Sequence, residues 1–224
     1  MTLNGQHDKG LFRGGEDMVR QDRISVLAVL LCILLLLLTL GCDGGPRRRT
    51  EKREKARLKA RLAENPNDPQ VLMRLAVLST GDIAKAQAYT MRALEADPDY
   101  VPAWQMHLVL LGAQLHGAEA AERPFLSDRL ERVARAFLSL LERKNPKNVG
   151  YWKYIQGCIA VEVALGVVGD EDGRVKPHAL AVQAARQATR SDSAPDREVG
   201  ELYLEELSSG LVDRAIEKTQ PAAE

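Results

Sequence analysis

The chain has 224 residues, and its 31 lysines and arginines balance 31 aspartates and glutamates, so the formal net charge is zero. A balanced charge provides no overall electrostatic attraction to nucleic acid, and we expect no nucleic-acid partner. Aromatic residues make up only 4% of the chain, whereas alanine, leucine, glutamate and arginine are abundant. This composition is typical of an all-α protein.

The most apolar segment lies near the N-terminus. Residues 24–40 carry no charged side chain and end at the pair Gly41-Cys42. This length and composition are typical of the apolar region of a signal peptide or of a membrane-spanning helix. We therefore expect residues 1–41 to be a signal or membrane segment. Met18 is an alternative start, from which the signal segment would have an ordinary bacterial length.

The residues around Cys42 suggest how the chain is attached to a membrane. The segment Leu-Thr-Leu-Gly-Cys, residues 38–42, resembles the lipobox of bacterial lipoproteins, although Thr39 stands where those proteins usually carry leucine. The resemblance implies cleavage before Cys42 and lipidation of Cys42. Asp43 also resembles the signal that keeps enterobacterial lipoproteins in the inner membrane. It implies a position on the periplasmic face of that membrane.

A block of basic residues favours a different orientation. Residues 47–61 contain nine lysines and arginines and two glutamates. Basic blocks next to a membrane-spanning helix prefer the cytoplasmic side. If the apolar segment is an uncleaved single-span anchor, the rest of the chain would lie in the cytoplasm. The block is also compatible with a polar tether followed by a solvated helix near anionic headgroups.

Helix-breaking prolines divide the rest of the chain. Pro66, Pro98 and Pro146 each follow an Asn or Asp, and such pairs predict boundaries between helix pairs. Between the first two boundaries, Ala86 and Ala93 lie seven residues apart. This segment resembles the second half of a tetratricopeptide repeat, in which small residues allow two antiparallel helices to approach closely.

The resemblance implies an all-α fold, with about four helix pairs stacked into an α-α solenoid over residues 55–219. A tether would occupy residues 42–54, and a short tail would occupy residues 220–224. An irregular helical bundle without repeat symmetry is the alternative. Trp104 and Trp152 each follow a boundary proline by six residues and would lie in the core of the next first helix.

The repeat spacing departs from 34 residues in the middle of the chain. Pro98 to Pro146 spans 48 residues, which indicates an inserted segment. We expect insertions at residues 117–124 and 167–177, in the turns between paired helices. Residues 207–215 resemble residues 78–86 and predict a last helix pair.

Catalytic and metal-binding patterns are missing from the sequence. No P-loop, nucleophile elbow or zinc-ligand spacing occurs. His107 is flanked by Met106 and Leu108, and we expect it to be packed rather than to bind a metal. Cys158 lies on an apolar face and is expected to be a small buried hydrophobe. We therefore expect no catalytic residue, metal or cofactor, and an envelope hydrolase is only a remote alternative.

The resemblance also implies a binding surface. In such solenoids the first helix of each pair lines a groove that accepts an extended peptide or a partner helix. The second, fifth and ninth repeat positions, which face this groove, are Gln70, Met73 and Val77, then Pro102, Gln105 and Val109, then Gly150, Lys153 and Gly157. The predicted peptide-binding residues are Gln70, Met73, Val77, Gln105, Val109 and Lys153. This mostly neutral surface is not expected to capture an acidic C-terminus.

The expected function is that of a membrane-tethered scaffold or assembly factor that binds another cell-envelope protein or peptide. Residues 58–69 resemble the start of the repeat domain in accessory factors of cytochrome c maturation, which form an alternative. The sequence makes no prediction of oligomeric state.

Overall fold

The computed structural model describes residues 47–219, and every regular element in this range is a helix. In chain order the helices are α1 (Arg47–Glu64), α2 (Pro69–Val77), α3 (Ile83–Ala96), α4 (Val101–Gly117), α5 (Arg123–Arg143), α6 (Pro146–Val149), α7 (Tyr151–Val167), α8 (Glu171–Ala188), α9 (Ala194–Ser208) and α10 (Leu211–Thr219). The predicted all-α class is confirmed for these residues. The predicted signal or membrane segment 1–41, the predicted lipidation site Cys42 and the predicted tail 220–224 lie outside the described residues.

Local chemistry explains where the helices begin. Asp68 caps α2 by accepting hydrogen bonds from the backbone N–H groups of Gln70 and Val71, and Asp82 caps α3 through the N–H of Lys85. Such caps contribute about 1 kcal/mol each. Pro66 and Pro98 lie in the turns before α2 and α4, as predicted from their helix-breaking chemistry.

The central helix of the fold is α7. It packs against α4, α5, α8, α9 and α10, while α2 packs against α1 and α3, and α3 also packs against α4. Ile155, Cys158, Val161 and Leu165 on α7 are fully buried within the largest apolar cluster. A smaller cluster of Leu58, Val71 and Leu75 attaches α1 to α2. The core is therefore organised around one apolar helix in the second half of the chain.

Small residues mark the closest helix contacts. Ala86 and Ala93 on α3 are fully buried, as the resemblance to a tetratricopeptide repeat implies. Gly200 lies where α9 crosses α8, and a Cβ atom there would come within 2.6 Å of the Thr189 backbone nitrogen. Any larger side chain at Gly200 would push these two helices apart.

Of the two insertions predicted in turns between paired helices, one lies in a turn of the structure and the other does not. Residues 118–122 connect α4 to α5, within the expected insertion at 117–124. The second expected insertion, residues 167–177, is wrong, because α8 begins at Glu171 and contains Pro177. Asp170 starts this helix by accepting a hydrogen bond from the Gly173 N–H at 2.8 Å. The additional residues therefore lengthen a helix instead of a loop.

The ends of the described region also differ from the expectation. The first helix begins at Arg47, so residues 47–54 are helical although they were expected to form a tether. At the other end, α10 follows a two-residue turn and packs against α7 as well as against its neighbour α9. Ile216 of α10 fits against Gly166 of α7, where a Cβ atom would come within 2.3 Å.

The two tryptophans occupy different environments. Trp104 stacks on Phe137 of α5, with ring centroids 5.8 Å apart, in agreement with its predicted core position. Trp152 is 37% exposed, so its predicted core position is wrong. Gly150, with φ of 85°, connects α6 to α7, and the residues that enter the core after this turn are Tyr151 and Tyr154. The aromatic residues that enter the core are thus at positions 151 and 154, not at position 152 as the repeat spacing predicts.

Within residues 47–219, no helix has both the length and the apolar character needed to cross a bilayer. The apolar segment at residues 24–40 is not part of this range.

Candidate functional site

Two of the predicted peptide-binding residues, Gln105 and Lys153, are in contact where α4 lies beside α7. The side-chain amide of Gln105 donates a hydrogen bond to the backbone carbonyl of Lys153, with an Nε2 to O distance of 3.0 Å. Val109 follows Gln105 by one helical turn and is 46% exposed. Trp152 immediately precedes Lys153, and both are exposed. We call Gln105, Val109, Trp152 and Lys153 the α4–α7 surface.

The predicted peptide-binding residues on α2 differ from one another in exposure. Gln70 is exposed and Val77 is half-buried, whereas Met73 is only 8% exposed and offers little area to a partner. In the described part of the chain, no side-chain hydrogen bond or ion pair connects these three residues to the α4–α7 surface. The structure thus brings Gln105 and Lys153 into contact, with Val109 one turn from Gln105 on α4, but shows no such connection to the α2 residues.

Gly157 does not line a groove, contrary to the prediction from the repeat positions. A Cβ atom at Gly157 would lie 3.1 Å from side-chain atoms of Phe137 and Leu141 on α5. This glycine therefore faces the interior between α5 and α7. Its small size lets the two helices approach each other.

The α4–α7 surface combines exposed apolar area with polar groups at its edge. Because the Gln105 amide is already bonded to the Lys153 carbonyl, it holds the two helices in register. Trp152 and Val109 are among the large apolar side chains that remain exposed in the described residues. Tryptophan is one of the residue types that often contribute much of the binding energy when a partner buries them. The exposed apolar area of this arrangement is suited to contact with an apolar segment.

A second cluster of polar residues surrounds one buried carboxylate and was not predicted from the sequence. Glu162 of α7 is only 3% exposed, and its two carboxylate oxygens lie 3.0 and 3.1 Å from Nδ1 of His178 on α8. The Arg174 guanidinium is 3.9 Å from Glu162 and also pairs with Asp213 of α10. We call these four residues the buried carboxylate network. It connects α7, α8 and α10.

The electrostatics of this network are dominated by burial. Desolvation raises the pKa of Glu162, and the positive charges of His178 and Arg174 oppose this increase. A carboxylate at this depth requires its partners, because an unpaired buried charge is strongly destabilising. The sequence does contain a signal for this network, because Glu162 is the only charged residue between Tyr154 and Val167.

The other two chemically distinctive side chains are also buried. Burial raises the pKa of the Cys158 thiol to about 12, so this thiol is protonated at neutral pH and is a poor nucleophile. Burial lowers the pKa of His107 to about 4, with a smaller effect from Arg129, so its ring is neutral. Nδ1 of His107 has no hydrogen-bond partner among the described residues. The expectation that both residues are packed in the interior is confirmed.

An open groove of about 800 Å³ runs between α8 and α9. Its lining combines apolar side chains, including Val182 and Leu204, with the basic side chains of Arg186 and Arg190. No group of three His, Cys, Asp or Glu side chains in residues 47–219 is placed to hold a metal ion.

Comparison with known proteins does not assign the chain to a family. No protein-family model, curated protein or solved structure matches it.

Proposed function

We propose that this protein is a membrane-tethered, tetratricopeptide-like scaffold or assembly factor that binds another cell-envelope protein without catalysing a reaction. The binding site is the α4–α7 surface. The observation that carries this proposal is the hydrogen bond from Gln105 to the Lys153 carbonyl. It joins the two helices that present the exposed side chains of Val109 and Trp152.

The packing order of the helices supports a repeat organisation. From α2 to α5, each helix packs against the next, and α7, α8 and α9 continue this order. In addition α4 packs against α7, and α7 packs against α9. Contacts of this kind between the first helices of successive pairs are expected in a stack of helix pairs. The short α6 and the packing of α10 on α7 depart from a regular stack.

The chemistry of the surface indicates the type of segment that it binds. An apolar side chain of the partner would bury the exposed faces of Trp152 and Val109. The Lys153 ammonium group at the edge would pair with an acidic side chain next to that anchor. An extended peptide or the apolar face of a helix satisfies both conditions.

Attachment to the membrane is the other part of the proposal. The resemblance of residues 38–42 to a lipobox supports lipidation at Cys42 and a position on the periplasmic face of the inner membrane. The alternative is an uncleaved helix at residues 24–40, with the described residues in the cytoplasm.

Site-specific photocrosslinking of the full-length protein in its native cells tests the binding surface. A benzophenone amino acid replaces Val109 or Trp152 in the test variants and Phe125 or Leu202 in the controls, since all four side chains are exposed. We expect a discrete adduct with one envelope protein at positions 109 and 152 and no such adduct at 125 or 202. The same adduct from all four positions, or none at 109 and 152, would contradict the proposal.

A further inference from the structure

The charges of α1 are segregated between two sides of the helix. Glu54 accepts a hydrogen bond from the Arg74 guanidinium at 2.8 Å, on the side that packs against α2. Glu51 precedes the buried Leu58 by seven residues and therefore lies on the same side as Leu58. Four exposed basic residues between positions 52 and 59 have no ion pair within the described part of the chain, and they are Lys52, Arg53, Arg57 and Lys59. The solvent side of α1 is thus positively charged between residues 52 and 59.

Beside this helix is a cavity of about 210 Å³ with lysines from two helices in its wall. Lys55 and Lys59 come from α1, and Lys85 comes from α3. The buried Ser79 and the half-buried Tyr89 also line the cavity and carry hydroxyl groups. The volume is several times the roughly 30 Å³ that one water molecule occupies.

The cavity has an excess of positive charge. Its one acidic residue is Asp82, which caps α3 by accepting a hydrogen bond from the Lys85 backbone N–H at 3.1 Å. Three lysines and one aspartate in the lining give the cavity a net positive charge that is suited to an anion. Phosphate matches this site, because ammonium and hydroxyl groups both donate hydrogen bonds to its oxygens.

We propose that α1 lies against an anionic bilayer surface and that the lysine-lined cavity holds the phosphate headgroup of an anionic phospholipid. The basic side of α1 and the cavity share Lys59, so one surface can engage both. In the sequence, the apolar segment ends at residue 40 and α1 begins at Arg47, so any membrane attachment there keeps α1 within a few residues of the bilayer. This inference rests on the membrane attachment proposed above.

Lysine accessibility in nanodiscs tests the inference with the full-length protein. One set of nanodiscs contains phosphatidylcholine alone, and the other contains phosphatidylcholine and phosphatidylglycerol at about 7:3. A water-soluble acylating reagent modifies exposed lysines, and mass spectrometry measures the rate at each site. We expect Lys52, Lys55, Lys59 and Lys85 to react at least about three-fold more slowly in the anionic discs, with the difference lost in 0.5 M salt.

Controls within the molecule separate lipid contact from a general effect of the discs. Lys147 and Lys218 are exposed on α6 and α10, and their rates should be the same in both disc types. The triple variant Lys55→Gln, Lys59→Gln, Lys85→Gln should lose the protection of Lys52. A charge-matched variant, Lys147→Gln, Arg190→Gln, Lys218→Gln, should keep it.

Four outcomes would overturn the inference. Equal rates for the α1 lysines in both disc types show that α1 does not contact the lipid surface, while leaving the membrane attachment intact. Unchanged protection of Lys52 in the triple cavity variant excludes the cavity as the headgroup site. Equal protection by inorganic phosphate in neutral discs identifies free phosphate as the ligand. Failure of the full-length protein to enter either disc type removes the membrane attachment and this inference together.

Discussion

Glu162 on α7 lies with both carboxylate oxygens within about 3 Å of Nδ1 of His178 on α8, although only 3% of Glu162 is exposed. The pair fixes the two helices that pack most extensively on each other in the described residues. Because the carboxylate is desolvated, its charged form is stabilised by its protein partners rather than by water.

Removal of either member of this pair should have unequal effects. His178→Ala leaves the buried carboxylate of Glu162 with Arg174 as its remaining positive partner. This change should lower the free energy of unfolding by about 2 kcal/mol. Glu162→Gln removes the charge and keeps a hydrogen-bonding side chain, so we expect a loss below about 1 kcal/mol. Urea unfolding of a fragment that begins at Asp43 measures both values at pH 7. A larger loss for Glu162→Gln than for His178→Ala would refute this account.

The buried His107 predicts a loss of stability in mild acid. Its pKa is about 4 in the folded protein and 6.5 in the unfolded chain. Between these values the unfolded chain binds the extra proton, so the folded state loses stability as the pH falls. The loss from His107 between pH 7 and pH 5 should be about 2 kcal/mol.

The variant His107→Leu isolates this contribution. The raised pKa of Glu162 acts in the opposite direction, because a carboxyl group with a raised pKa favours the folded state as the pH falls. We therefore compare the pH dependence of unfolding in the wild type and in His107→Leu. The variant should lack the loss assigned to His107, and parallel curves for the two proteins would argue against a neutral buried imidazole.

Two glycines form a matched pair for testing the helix contacts. Gly200→Ala would place a Cβ atom 2.6 Å from the Thr189 backbone nitrogen and 2.7 Å from the Ala185 carbonyl oxygen. Backbone atoms cannot move aside easily, so this change should cost about 2 kcal/mol. Gly112→Ala on α4 meets no atom within 4 Å and should stabilise the protein by up to about 1 kcal/mol. Thermal unfolding followed by circular dichroism measures both, and a shift in the same direction for both variants would exclude the proposed close contact.

The fully buried Ala86 tests the packing of α3. Ala86→Leu should overpack the contact around this residue and lower the free energy of unfolding by roughly 1–3 kcal/mol. Ala88 is exposed on the same helix, and Ala88→Leu should change stability by less than about 0.5 kcal/mol. Unfolding midpoints in urea provide the comparison. An unchanged midpoint for Ala86→Leu would mean that α3 does not make the close contact expected of a tetratricopeptide-like pair.

Features that depend on local chemistry could be predicted from the sequence. The boundaries at Pro66 and Pro98 follow from the missing N–H group of proline. The burial of Ala86 and Ala93 agrees with what the resemblance to a tetratricopeptide repeat implies. Pro177 shows the limit of the same argument. It lies within α8, whose start is set by the Asp170 cap rather than by the proline.

Features that depend on packing between distant residues could not be predicted. Glu162 and His178 are 16 residues apart, and their contact exists only because α7 packs on α8. Similarly, the repeat spacing predicts a core position for Trp152. In the structure, the helix that follows Gly150, a residue with positive φ, places Tyr151 and Tyr154 in the core instead. The α4–α7 surface is an intermediate case. The resemblance to tetratricopeptide repeats implies that Gln105 and Lys153 lie on one wall, and only the structure shows the hydrogen bond between them.

The predicted lipidation of Cys42, if it occurs, would determine the side of the membrane on which the proposed binding surface works. If Gly41-Cys42 is a cleavage pair, the mature protein begins at Cys42, carries acyl chains and lacks residues 24–40. Two or more acyl chains anchor a protein stably, at about 0.8 kcal/mol per buried CH₂, where a single chain would be marginal. Cys42→Ser should therefore block acylation and processing together, so that a longer precursor accumulates in the membrane fraction.

Replacement of the buried Cys158 by Ser serves as the control, because it removes a thiol without touching the lipobox-like segment. Intact-mass analysis of the purified wild-type protein provides the direct measurement. An unmodified chain that retains residues 24–40 would contradict lipidation, and protease protection in spheroplasts would then be expected to place residues 50–224 in the cytoplasm.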